Sequence, residues 1–530
     1  MRCATFILIT LLTAVSFAAE SDVLFCIGTP DAFCAEFALV KEGYAAFPQK
    51  FPNNVRYEIG KSKPENDWAF LHPTKQDESW AKGGPVHPFT IIYNSDKDVA
   101  GETALVIGYM GVQGDLSDVN VSVNETKLPV QLPQNVGNGN LVFNPRSKGK
   151  PAAMVFKIPA GAVHKGQNEI IITLVGKSWI LYDYVALRQT AKPLVIRERP
   201  EKNLLAEFEK NEMKGVKKII FTTRTQSGEH WYANIGYYAA TDQVGTNPPA
   251  PNEGGRLCLL DLDTKKVDIL LDKGLVRDPC VHYSGKKVLF SYKPDGTDYF
   301  HLCEMDLTDK NLRQLTFGEF DDFEPMYTPE DKIIFVSTRA KRWVNCWLTH
   351  VAILYGCDAD GKNIHQLSGN IEQDNTPWML PNGQVLFTRW EYVDRSQVNY
   401  HHLWTMNPDG TRQMVFFGNM HPGGVWIDAK PVPNSEKIVA SLSWGHGSTE
   451  HAGGVGLIDP RNGPDAQDSV KVVGGKQNGY RDPWAFSENC FIAATGNKIE
   501  LFNADGDTQT LYQIPQDWMN EIKPKVIRER

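Results

Sequence analysis

A proline returns through the second half of the chain at 279, 325, 377, 431 and 483, each time opening a similar stretch. One unit is Asp278-Pro279-Cys280-Val281-His282-Tyr283-Ser284-Gly285-Lys286-Lys287-Val288-Leu289-Phe290-Ser291. The next starts at Phe323-Glu324-Pro325 and ends in Ile333-Ile334-Phe335-Val336-Ser337. A third runs Thr376-Pro377-Trp378 to Val385-Leu386-Phe387-Thr388, and weaker copies begin near Lys430-Pro431 and Asp482-Pro483. A period of about 50 residues is that of propeller blades. Each unit has a second half, as at Leu302–Leu315 and Leu403–Val415, and several carry Asp-Gly turns, as at Asp360-Gly361, Asp409-Gly410 and Asp505-Gly506. Asp-Gly between alternating apolar runs is a strong hairpin signal. Each repeat therefore reads as four antiparallel strands, a to d. Lys217–Thr222 with Arg256–Leu271 supplies one more blade ahead of the first proline. The expectation is a β-propeller over 210–516, with six blades and seven as the alternative, followed by a C-terminal tail over 517–530.

Residues 22–190 carry a different pattern. Strand-like alternation falls at Thr103–Tyr109, Val119–Val123, Ala153–Ile158, Glu169–Leu174 and Ile180–Leu187, with Gly, Asn and Pro between. Helical periodicity is nearly absent, which favours a jelly-roll β-sandwich. The charged, proline-bearing stretch over 191–209 reads as a linker. The fold class expected is thus all-β: a sandwich followed by a propeller.

Two resemblances attach to these regions. Ile158-Pro159-Ala160-Gly161, Gly166, Asn168 to Ile172 and Trp179-Ile180-Leu181-Tyr182-Asp183-Tyr184-Val185-Ala186-Leu187 resemble the carbohydrate-binding-like domain of family 4 rhamnogalacturonan lyases. That resemblance implies sugar affinity and no lyase chemistry, since no segment looks like that family's catalytic domain. The propeller region is similar in outline to the Tol-system periplasmic propeller. More closely, it resembles the middle domain of hydrazine synthase alpha subunit-like proteins. The residues carrying the match are Asp321-Asp322-Phe323-Glu324-Pro325, Thr388 to Arg395, Leu403 to Thr411 and His451-Ala452-Gly453-Gly454. The chemistry of that enzyme depends on c-type haems in flanking regions. This sequence contains no Cys-x-x-Cys-His, so no covalent haem is expected.

In a propeller the b–c and d–a connections emerge on one face, and a–b and c–d on the other. The a–b and c–d turns here read as short, while the b–c connections are mostly long. Long loops on a rigid scaffold usually carry binding. The ligand-binding candidates on that face are His230, Trp231, Arg389, Tyr392, His402, His421, His446 and His451. Arg339, Arg342, Trp343, His350, Glu391 and Arg395 lie in the same connections. Imidazoles ligate metals or act as bases near neutral pH, aromatic faces stack on sugars, and Arg pairs with carboxylate or sulfate oxygens. His421, His446 and His451 are the candidate ligands of a divalent metal. The ligand-binding candidates other than Trp231 are expected to line one pocket near the propeller axis.

Charge and the N-terminus narrow the function classes. The chain has 55 basic and 63 acidic residues, a formal net charge of −8, which argues against a nucleic-acid binder. Arg2, the apolar run Ala4–Val15 and Ser16-Phe17-Ala18 read as a secretory signal over 1–18. No later run of 18 apolar residues is present, so no membrane span is expected and the location expected is secreted or periplasmic. In an oxidising compartment the local cysteine pairs to test are Cys26 with Cys34 and Cys346 with Cys357, with buried free thiols as the alternative. Cys258 and Cys303 hold equivalent repeat positions and read as core thiols. The function expected is an exported glycan-binding protein acting in polysaccharide recognition or degradation. The alternatives are a lyase acting on an acidic polysaccharide from the propeller loop face, and a haem-free scaffold like the hydrazine synthase alpha subunit.

Overall fold

A computed structural model of the chain describes residues 22–527 apart from 53, 75–86, 114–115, 138, 143–144, 147, 177, 198–201, 225–254, 346–349, 397–398, 421–423, 444–452, 475–478 and 516–520. The expected signal over 1–18 therefore lies outside the described residues. Two compact units are present, Met1–Pro200 and Glu201–Arg530.

The first unit is the expected sandwich. One sheet orders Val23–Gly28, Trp179–Arg188, Thr103–Gln113 and Ala152–Ile158, with Leu71–His72 added to Trp179–Arg188. The other orders Val55–Glu58, Phe89–Ser95, Gly166–Val175, Asp118–Val123 and Thr126–Lys127. Along Gly166–Val175, Asn168, Ile170, Ile172 and Leu174 are buried and their neighbours are not, so one face meets the core. Trp179–Arg188 is buried at every position. All five strands anticipated from alternation are found. Trp68, Phe89 and Tyr182 pack edge-on at the centre of the core.

The described residues of the second unit form six four-stranded blades. Blade 2 is Leu275–Val281, Lys287–Lys293, His301–Asp306 and Leu312–Gln314. Blade 3 is Asp322–Tyr327, Ile333–Ser337, Ile353–Cys357 and His365–Gln366. Blade 4 is Asp374–Met379, Val385–Trp390, Tyr400–Met406 and Met414–Phe417; blade 5 is Gly424–Pro431, Ile438–Ser443, Gly453–Ile458 and Val470–Val473. Blade 6 is Arg481–Ser487, Cys490–Thr495, Lys498–Phe502 and Thr508–Gln513. Blade 1 takes strands b to d from Lys218–Arg224, Arg256–Asp261 and Val267–Leu271, and its innermost strand a from Glu521–Ile527. The expected tail is thus in part a closing strand, paired from Lys218↔Ile527 to Arg224↔Glu521. It supplies the partner that a blade starting at strand b lacks, and it leaves no open edge at the ring's seam.

Two further expectations need correction, and the cysteine alternatives can be decided for the described residues. The linker ends early: Asn203 caps a short helix, Leu204–Phe208, whose Leu204, Leu205 and Phe208 are buried in the core of blades 1 and 6. Pro431 is not the counterpart of the other prolines. In blades 2 to 6 strand a has a bulge, and its first unpaired residue has a positive φ: Asp278 (52°), Glu324 (44°), Thr376 (48°), Asp428 (57°) and Asp482 (52°). The following residue is Pro279, Pro325, Pro377, Ala429 or Pro483. A bulge leaves this position without a ladder hydrogen bond, so proline costs nothing there. Finally, Cys26 and Cys34 are both free, with Sγ donating to the Gly28 and Pro145 carbonyls respectively, and Cys357 is a free buried thiol. Cys346 lies outside the described residues. Cys258 and Cys303 are buried free thiols, as expected.

Candidate functional site

The bulged residues converge where the six innermost strands meet. Asp278, Glu324, Thr376, Asp428 and Asp482 line a small axial cavity of about 30 Å³, too small for a sugar ring. Two cations offset part of the acidic charge there from within. Arg277 Nε lies 2.5 Å from Asp278 and its NH2 3.5 Å from Glu324. Lys430 Nζ lies 3.3 Å from Asp482, 2.8 Å from the Asp428 carbonyl and over the Trp378 ring. Arg389, Tyr392 and His402 are not among the residues that line this cavity.

All three belong to the loop-face end of blade 4. Arg389, near the end of strand b, is opposite His402 in strand c. Its guanidinium forms a bidentate pair with buried Asp374 (2.8 and 3.0 Å), donates to Gln413 Oε1 (2.9 Å), and lies 4.6 Å from the Trp404 ring centroid. These contacts make Arg389 a support for the site. Tyr392 packs edge-on against Trp390 (5.7 Å between centroids). His402 is 1 % exposed, lies flat against Trp404, and has Gly418 close enough that an added Cβ would fall 3.1 Å from its own. Among the described residues neither of its ring nitrogens has a hydrogen-bond partner, and Nε2 lies 3.9 Å from Glu391 Oε1. Burial pushes its pKa down to about 4, against the pull of Glu391. The imidazole is therefore neutral at pH 7 and can hydrogen-bond without bringing charge.

The positive charge at this end is Arg395. It pairs with Glu391, donates to the Asn419 carbonyl and side chain (both 2.9 Å) and stacks 3.8 Å over Tyr400. Strand c of blade 4 also pairs with strand a of blade 5 (Tyr400↔Gly424, His401↔Val425), which fixes this corner. The c–d connection of blade 5, 459–469, is not short. Its Pro464 accepts from Gly418 N–H (2.9 Å) and its Asp465 from Met420 N–H (2.7 Å). A carboxylate, a neutral imidazole and an exposed-edge guanidinium thus stand together, a set suited to sugar hydroxyls and an acidic sugar carboxylate.

The remaining candidates, His230, Trp231, His421, His446 and His451, lie outside the described residues, and so does the candidate metal set. Among the described residues no group of three or more His, Cys, Asp or Glu is placed to hold a metal ion. Sequence reasoning missed Asp374, Gln413, Asn419 and Asp465. The first could have been found by aligning the repeats, since Asp322 holds Arg339 (2.8 Å) at the equivalent corner of blade 3.

Comparison with known proteins meets both resemblances. Residues 23–187 match the family described as CBM-like, polysaccharide lyase family 4, domain III. The chain is 25% identical over 230 residues to hydrazine synthase subunit alpha of Kuenenia stuttgartiensis, covering 33% of this chain and 26% of that protein. The chain thus spans about a quarter of that relative's length. Among solved structures it is similar to Kuenenia stuttgartiensis hydrazine synthase (19% identity, TM-score 0.47, 59% of this chain and 47% of that one). It is also similar to TolB from Acinetobacter baumannii (12%, TM-score 0.42, 84% of each chain). A third is oligogalacturonate lyase from Vibrio parahaemolyticus (12%, TM-score 0.35, 56% of this chain and 80% of that one). No helix among the described residues is long and apolar enough to cross a membrane.

Proposed function

We propose that this is an exported glycan-binding protein acting in polysaccharide recognition or degradation, in a secreted or periplasmic setting. The observation that carries the reading is the match of residues 23–187 to a carbohydrate-binding-like domain of a polysaccharide lyase family. The surface chemistry supports a division of labour. The aromatic rings of the sandwich that are described are buried or half-buried, among them Trp68, Phe89, Trp179 and Tyr182. Rings open to solvent are found on the propeller instead. The glycan-contacting surface is therefore assigned to the propeller loop face, with Tyr392, Glu391, Arg395 and His402 at its blade 4 corner. His230, Trp231, His421, His446 and His451 are retained as candidates there, the last three as ligands of a divalent metal.

A lyase reading draws support from the same corner. β-Elimination needs a cation for the uronate carboxylate and groups that move a proton, and Arg395, Tyr392 and Glu391 offer them. The 25% match to hydrazine synthase subunit alpha supports a third reading, a haem-free scaffold subunit. A glycan array probed with the full chain tests the first proposal, and binding to at least one polysaccharide is the expected result. An absorbance screen for unsaturated uronates on the glycans that bind separates recognition from cleavage. An array without any binding would remove both glycan readings and leave the scaffold.

A further inference from the structure

Blade 3 carries a second surface on the loop face, outside the corner just described. Trp343, in its b–c connection, is 44 % exposed. The ring is not loose: it packs on His350 with centroids 4.2 Å apart, and a backbone bridge joins the two residues. Val351 N–H donates to the Arg342 carbonyl (2.7 Å), so Arg342-Trp343 is held against His350-Val351 with the indole partly open to solvent. An aromatic side chain held this way by its own scaffold loses little freedom when a ligand stacks on it.

Two cations, Lys341 and Arg342, directly precede Trp343 in the chain. Lys341 is exposed, sits in the left-handed region (φ 49°), and has no ion-pair partner among the described residues. Its ammonium lies 5.9 Å from the Phe320 ring centroid, and the Arg339 guanidinium lies 4.1 Å from the same ring. Arg339 is occupied by Asp322, whereas Arg342 donates to the Asn370 carbonyl (2.6 Å). The nearby acids are Glu372, buried and accepting from Asn345 N–H, and the exposed Glu319. Asn370 in turn donates to the Trp390 carbonyl (2.9 Å), which ties this surface to the blade 4 corner.

We propose that Trp343, with Lys341 and Arg342, forms a subsite for an anionic sugar residue, the ring stacking on the sugar and the cations meeting a carboxylate or sulfate. The subsite extends the blade 4 corner along the rim, so the ligand is an acidic oligosaccharide spanning two blades; this rests on the glycan-binding reading. A neutral glycan would leave the two cations unused. A single-stranded nucleic acid also stacks and carries charge, but the net charge of −8 disfavours it.

The test uses the full chain, an array of polygalacturonate, alginate, chondroitin sulfate and neutral glucans and xylans, and a poly-dT control. Calorimetric titration of the best glycan then compares wild type with Trp343→Ala and Lys341→Gln. The expected result is binding to an acidic polymer that weakens with salt, falls roughly tenfold in Trp343→Ala and about threefold in Lys341→Gln, with melting temperatures close to wild type. Wild-type affinity in both variants would overturn the subsite and leave the glycan reading standing. No binding to any glycan would overturn both. Equal binding of neutral polymers, or preference for poly-dT, would overturn the assignment of an anionic sugar.

Discussion

His72 Nδ1 lies 2.7 Å from the Tyr182 hydroxyl inside the sandwich core, while its Nε2 lies 2.7 Å from the His87 carbonyl. A carbonyl can only accept, so Nε2 carries the proton and Nδ1 accepts from Tyr182. The ring also lies flat on Phe89, 3.9 Å between centroids. This neutral tautomer satisfies both nitrogens, and a second proton would force the Tyr182 hydroxyl to turn from donor to acceptor and would put a charge in the core. Burial accordingly pushes the His72 pKa down to about 3, despite the His87 carbonyl.

The pH dependence of the sandwich follows. The unfolded chain takes up a proton near pH 6.5 and the folded one does not until about 3. Stability from this group is complete above about pH 6.5 and is lost as pH falls, on the order of 1 kcal/mol per pH unit. Near-UV circular dichroism melts across this range should show that slope. The paired change His72→Phe with Tyr182→Phe, which removes the hydroxyl together with its acceptor and leaves only the His87 carbonyl without its donor, should flatten it. An unaltered slope in the double variant would place the acid sensitivity elsewhere.

Asp321 has the opposite sign. It is 1 % exposed, one oxygen accepts from Phe300 N–H (2.8 Å), and the other has no hydrogen-bond partner among the described residues. Burial pushes its pKa up to about 8, despite that hydrogen bond and the nearby Lys293. The native state then holds a proton that the unfolded state releases near pH 4. Its contribution is complete below that value and is lost as pH rises toward about 8. Asp321→Asn keeps the acceptor for Phe300 and cannot ionise. It should stabilise the propeller by about 2 kcal/mol at alkaline pH, and the advantage should vanish near pH 4. A variant that melts equally early at both pH values would show that the carboxylate itself is needed.

The cysteines should be independent of reductant. Cys34, Cys258, Cys280, Cys303, Cys357 and Cys490 are buried thiols, and burial pushes Cys258, Cys303 and Cys357 up to about 12. Alkylation after denaturation without reductant should label all six and Cys26 in a peptide map. Dithiothreitol should leave the melting temperature unchanged. A Cys26–Cys34 linked peptide would contradict the geometry of both side chains.

The repeat made most of the fold legible, because a propeller restates its core once per blade and Pro279, Pro325, Pro377 and Pro483 mark equivalent bulges. Pro431 misled because the bulge is defined by backbone conformation, and Ala429 meets that need without a ring. The closing strand was hidden for a related reason. Glu521–Ile527 contains Lys523, Pro524 and Lys525, and its partner strand lies some 300 residues earlier, so local pattern gives no sign of pairing. At the site, the reactive types were legible and their commitments were not. Arg389 and His402 look equally available in sequence. One is saturated by Asp374 and Gln413, and the other is buried with Glu391 near its edge.

Removal of residues 517–530 should consequently unfold more than an end. Blade 1 would lose its innermost strand, leaving Lys218–Arg224 as an open edge facing the axis. The shortened protein is expected to melt earlier by well over 5 °C or to aggregate. A shortened protein that melts like the full chain would return this segment to the status of a dispensable tail.

His402→Phe separates a scaffold role from a ligand role at the blade 4 corner. The ring is buried, stacked between Trp404 and the Gly418 backbone, and neither nitrogen has a hydrogen-bond partner among the described residues. A phenyl ring keeps the stacking and removes two desolvated polar atoms. Stability near neutral pH should therefore be unchanged or rise by up to about 1 kcal/mol, allowing for slight overpacking. The acid sensitivity tied to its pKa of about 4 should also disappear, since stability from this group is complete above about pH 6.5 and is lost as pH falls. If a ligand draws on the imidazole, glycan affinity should nevertheless fall at least tenfold. Titration and thermal melts on the same preparation decide the matter. Early melting with normal affinity in the folded fraction would make His402 a packing residue, and the blade 4 corner would lose its neutral hydrogen-bonding group.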